Sequence, residues 1–171
     1  MKTGRMHRLS GTFFAAALAV FMMSSNAFAE EVLNVREISL SMAREAADAA
    51  IERARKDGYR VSVTVVNRAG QIVVQLRDDG AAPHTTDTSW RNAYTALTLR
   101  ASTSELMQRA ASNPSAAGLA DITGVIMLAG GLPIRAGGET IGAIGVGGAP
   151  GGDKDEICGQ AGIERISARL K

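Results

Sequence analysis

The sequence predicts an α+β fold in which helices cover a five-stranded antiparallel sheet. Three observations carry that reading. Two groups of short apolar, β-branched runs have the length of strands: 61–66 with 71–76, and then 125–128, 132–135 and 140–146. The joints inside each group, among them Arg68-Ala69-Gly70, Gly130-Gly131 and Ala136-Gly137-Gly138, are too short for a parallel crossover. Helical segments stand before, between and after the two groups, the order expected of helices layered on one sheet.

The N-terminus is read separately from the fold. Lys2, Arg5 and Arg8 precede an apolar run, Thr12 to Met23, and Ala27-Phe28-Ala29 supplies small residues ahead of Glu30. This is the pattern of a secretory signal peptide, residues 1–29, cleaved after Ala29. A bilayer-spanning anchor requires a longer apolar run. The remaining 30–171 suit one domain, and the chain is expected to be secreted or periplasmic with no membrane span after processing. Loss of the three basic residues takes the formal charge from +2 to −1, so the basicity belongs to the leader and no Lys/Arg stripe points to nucleic acid.

Asn34 and Glu37 have the spacing of a capping box, followed by a helix with Ile38, Met42, Ala46, Ala49 and Ala50 on one side and a stop at Gly58. The first hairpin turns at Arg68-Ala69-Gly70. After the loop 78–86, a second helix starts near Asp87, with Trp90, Tyr94, Leu97 and Ala101 as its apolar stripe. A further helix over Ser104 to Ala111 ends at Asn113-Pro114, because proline cannot continue a helix interior. Three strands follow. Asp153 and Glu156 repeat the capping spacing before a last helix towards Leu170. In the last strand Gly142 and Gly145 fall on opposite faces. One is expected to seat a helix and the other a ligand or a neighbouring subunit.

Candidate chemistry is sparse. His84 is the one histidine left after processing, in a Gly/Pro loop beside a helix start, where an imidazole can ligate iron or titrate near neutrality. It is equally a solvated loop residue. Arg77, Arg91, Arg100 and Arg135 are candidates for anchoring an anion by paired hydrogen bonds. Asp78-Asp79 is either a weak divalent-ion site or a pair of turn formers. Cys158, a lone cysteine on an apolar helix face, reads as a small buried hydrophobe rather than a nucleophile, and no internal disulfide is possible. No Cys-x-x-Cys-His exists for covalent haem attachment, and the glycine-rich 142–147 fits neither the dinucleotide pattern nor the P-loop.

Taken together, Val61 to Gly70, Arg77-Asp78-Asp79-Gly80-Ala81, Ala93-Tyr94-Thr95-Ala96, Gly130 to Ile134, Gly138 to Val146 and Asp155 to Gly162 resemble the GlcG/HbpS-like haem-binding family, in order and over nearly all of 30–171. The resemblance implies a profilin-like fold, non-covalent haem as ligand (with iron or a corrinoid as related groups), and homo-oligomers, often octamers. It implies His84 as axial ligand to the metal, with Arg91, Tyr94 and Arg135 completing the binding residues. Many relatives carry Lys-Ala before the Tyr-Thr-Ala segment. This chain has Asn92-Ala93, so a role for that lysine does not transfer. Two other functions stay open: an enzyme of haem degradation or small-metabolite conversion with His84, Asp78 or Asp79 as acid/base, and an oligomeric accessory or sensory protein.

Overall fold

The computed structural model describes residues 32–171, and the signal-peptide expectation lies outside them. Residues Val35–Lys171 form one compact unit. Its elements in chain order are α1 (Leu40–Lys56), β1 (Ser62–Asn67), β2 (Ile72–Arg77), α2 (Thr85–Leu99), α3 (Thr103–Ser112), a 3-10 segment (Pro114–Asp121), β3 (Gly131–Ala136), β4 (Glu139–Gly147), α4 (Gly152–Ile166) and a last 3-10 turn (Ser167–Arg169). The sheet is antiparallel throughout, in the order β2-β1-β4-β3. No described helix is long and apolar enough to cross a membrane.

The class and the antiparallel sheet are as predicted, but the described sheet has four strands, not five. The run 125–128 is irregular. The Thr95 hydroxyl takes the Ile126 N–H at 2.9 Å, and Val125 N–H donates to Ile122 C=O. Gly124 at φ 84° and Gly130 at φ 139° turn the chain on either side. The Ile126 donor is thereby spent on α2 and the Val125 donor on the preceding turn, rather than on a ladder.

The two faces of the sheet are built from different residues. Val63 and Val65 of β1 and Ile144 and Val146 of β4 pack under α1 and α4, in the larger core with Ala43, Ala46, Ala47, Ala50, Cys158 and Ile166. Each of these buried valines and isoleucines contributes about 1.5–3 kcal/mol. The opposite face carries Ser62, Thr64, Ala143, Gly145 and Gly147, and α2 sits directly on it. Ser62 and Thr85 hydroxyls meet at 2.8 Å, as do those of Thr64 and Ser89. A Cβ on Gly145 would stand 2.2 Å from the Ser89 carbonyl, and one on Gly131 2.1 Å from that of Asn92. Gly145 therefore seats the helix, while Gly142 on the other face makes room for Ile38 and the Val66 carbonyl. Neither glycine leaves a gap for a planar ligand or a subunit. The buried side of α2 is Ser89, Asn92, Ala93 and Ala96, and its aromatic stripe runs half-buried along the flank.

Both predicted capping boxes are replaced by other contacts. Ser39, not Asn34, caps α1, its Oγ accepting from Met42 N–H at 3.3 Å, and Glu37 instead accepts from Arg68 N–H. Gly151 occupies the cap position of α4. Glu156 reaches α3, where it accepts from Ser104 N–H at 2.9 Å and Ser104 Oγ at 2.8 Å. One carboxylate thus satisfies an otherwise orphaned donor at another helix's N-terminus and ties the two helices together.

Candidate ligand-binding site

Where the Arg68-Ala69-Gly70 turn, the C-terminal end of α2 and the β3–β4 turn converge, they enclose an open cleft of about 740 Å³. That volume lies within the range of small-molecule sites. Arg68, Gly70, Tyr94, Arg100, Arg135 and Glu139 are the residues of its wall that carry or shape its chemistry.

The fold holds Tyr94 tightly. Both neighbouring turns place a positive-φ glycine against the ring: a Cβ on Gly70 would stand 3.0 Å from Cε2, and one on Gly124 3.2 Å from Cε1. Trp90 packs beside it, ring centres 5.6 Å apart and tilted by 31°. Both long edges of the ring are thereby covered, and Tyr94 lines the cleft.

Three arginines line the cleft with this ring. Arg68 pairs with Glu139 at 3.0 Å across the mouth of the cleft. Arg135 donates to the main-chain carbonyl of Arg100, which fixes its reach. Arg100 closes α2 with φ 56°, and its side chain pairs with no carboxylate among the described residues. One carboxylate against three guanidiniums leaves the cleft cationic, suited to an aromatic ligand bearing acidic groups.

Of the four residues named as the haem-binding set, two share the cleft and two do not. Tyr94 and Arg135 face the same cleft. His84 stands at the other end of α2, ten residues before Tyr94, about 15 Å along the helix axis. It is the residue before the first turn; its carbonyl accepts from Thr88 N–H and Oγ1, and its exposed ring caps nothing. Arg91 is half-buried beside Asp87, Nε to Oδ2 3.1 Å, and does not line the cleft. Arg68 was not singled out, because nothing in the sequence shows that the first hairpin turn meets the β3–β4 turn.

Two other candidates, Asp78 and Cys158, serve the fold. Asp78 is buried, accepts a bidentate pair from Arg55 (2.6 Å at the shortest) and is held below the usual carboxylate range chiefly by that hydrogen bond. Its oxygens are committed, and no group of three acidic, His or Cys residues suited to a metal occurs among the described residues. Cys158 is buried and its thiol is pushed up to about 11, mainly by loss of water, which keeps it unreactive. Asp155 is buried under the β4–α4 corner, where it accepts from Ala149 N–H at 3.0 Å. Burial pushes it up to about 6.

A sequence profile described as "Haem degrading protein HbpS-like" matches residues 38–164. The chain belongs to the HbpS-like family. A double mutant of HbpS from Streptomyces reticuli is 46% identical, superposes with a TM-score of 0.75, and covers 79% of this chain and 90% of its own. A PduOC–haem complex is 25% identical with a TM-score of 0.70, over 76% of this chain and 95% of its own. Among sequence relatives, an uncharacterized 15.0 kDa protein from the dhaT-dhaS intergenic region of Citrobacter freundii is 32% identical, over 67% of this chain and 82% of its own. The match spans every element that forms the cleft.

Proposed function

We propose that this HbpS-like chain is an exported protein that binds haem non-covalently, and that the cleft around Tyr94 is the seat. The observation that carries the reading is the juxtaposition of a clamped tyrosine with three guanidiniums in a cleft of ligand size. Family membership and likeness to a structure solved with haem support haem as the ligand. The propionates meet Arg135 and its neighbours, and the tetrapyrrole lies over the Tyr94 hydroxyl. When bound, haem supplies an iron that a phenol or an imidazole can ligate. Tyr94 is the ligating side chain inside the cleft, and His84 is the alternative, at the far end of α2. Export rests on the leader, 1–29, and predicts Glu30 as the N-terminus of the secreted form by mass spectrometry. Homo-oligomers, octamers by resemblance, belong to the same reading. Edge strand β2 and the apolar groove with Leu40 and Val73 are surfaces that would serve assembly, checked by light scattering.

Haemin titration followed by absorbance tests this. The wild type is expected to give a shifted Soret band, Tyr94→Phe to move that band, and His84→Ala to leave it in place. The converse pair of results would assign the iron to His84. No Soret shift in the wild type refutes haem binding. Loss of the tetrapyrrole spectrum after adding a reductant would favour a haem-degrading enzyme over a carrier.

A further inference from the structure

Arg100 is the sole described residue other than glycine with positive φ, 56°. It stands where a helix ends in the left-handed conformation, a place that glycine fills without steric cost and most side chains do not. The helix takes no hydrogen bond from this side chain, whose charge alone favours the C-terminal end of the helix by a few tenths of a kcal/mol. What packs locally is the main chain, whose carbonyl accepts from Arg135, and glycine would present the same carbonyl. The guanidinium has no carboxylate partner and lines the cleft with Arg68 and Arg135. Strain kept where a cheaper residue is available points to use of the side chain.

We propose that Arg100 is a ligand-binding residue held at a cost to stability, and that with Arg135 it clamps a carboxylate of the cleft's occupant. The ligand class is then an aromatic molecule carrying at least one free carboxylate, and esterification abolishes the recognition. The pair is built for it. Arg135 is oriented by the Arg100 carbonyl, so both guanidiniums derive their positions from one stretch of backbone. Arg68, the third arginine of the lining, is already paired with Glu139 at 3.0 Å. The inference rests on the cleft being the ligand's seat, as proposed above.

Affinity and stability are expected to move in opposite directions, which a purely structural arginine would not produce. In the full chain, Arg100→Gly should weaken haemin binding about tenfold, the loss of one charge-assisted contact. It should also melt no lower than wild type and up to about 4 °C higher. Arg100→Ala, which keeps the strained backbone, should lose the same affinity without the gain in melting temperature. Haemin dimethyl ester should bind all three proteins equally. Unchanged haemin affinity in Arg100→Gly, or a lower melting temperature, overturns the clamp while leaving haem binding intact. If the wild type takes up no haemin, 1-naphthoate titration followed by the amide signals of Thr98 and Gly138 decides. Tenfold weaker naphthoate binding in Arg100→Gly upholds the clamp without haem. Equal or absent naphthoate binding ends it.

Discussion

Asp155 shows how one buried carboxyl sets a pH dependence. Its oxygen holds the Ala149 N–H at the corner between β4 and α4, yet the side chain is almost wholly removed from water. The folded carboxyl keeps its proton up to about pH 6, whereas the unfolded one releases it near pH 4. Stability from this group is therefore full below about pH 4 and is lost as pH rises through about 6. The loss amounts to about 2–3 kcal/mol. Thermal melts should show wild type losing stability across that window, with Asp155→Asn, which can still accept from Ala149, nearly flat. A wild-type curve parallel to the variant's would remove Asp155 as the cause. Asp78 acts with the opposite sign. Its carboxyl is held low by Arg55, so its contribution is present above about pH 4 and falls away in stronger acid. Neither aspartate's role could be read from sequence, since burial and partners arise only when distant segments meet.

At the scale of elements, two glycines in α4 carry opposite predictions. A Cβ on Gly159 would make ordinary contacts of 3.5–3.7 Å with Leu132, Val146 and Ile144. Gly159→Ala should therefore gain most of the roughly 1 kcal/mol that separates alanine from glycine in a helix. A Cβ on Gly162 would stand 2.5 Å from the Ala46 carbonyl of α1. Gly162→Ala must push the two helices apart, and urea denaturation should show a loss of more than 1 kcal/mol. Much of this level was legible beforehand. The hairpin at Gly70, the break at Pro114, the α2 segment and the opposed faces of Gly142 and Gly145 follow from local rules, and all are present. What sequence patterning missed depended on tertiary partners. The 125–128 run has strand composition, but the Thr95 hydroxyl holds it to α2. Glu156 has capping spacing, but a second helix claims its carboxylate.

At the scale of the molecule, the sheet separates a packing face from a face that carries the site. The α1/α4 side is the apolar core, and the other side is flattened by Gly131, Gly145 and Gly147 so that α2 lies almost on the backbone. That close seating carries the C-terminal end of α2 to the two hairpin turns, and their convergence makes the cleft. Sequence reading named Tyr94, Arg100 and Arg135, which line one cleft, because aromatic and arginine residues announce themselves. It could not find Arg68, nor separate His84 from the others, because both depend on strand order and on the length of α2. The central claim is that the guanidinium-lined cleft at Tyr94 takes a carboxylate-bearing tetrapyrrole. Isothermal titration of the purified protein with haemin, wild type against Arg135→Ala, tests it most directly. One site per chain is expected, with affinity about tenfold weaker in the variant. Equal affinities, or no heat of binding to the wild type, would contradict it.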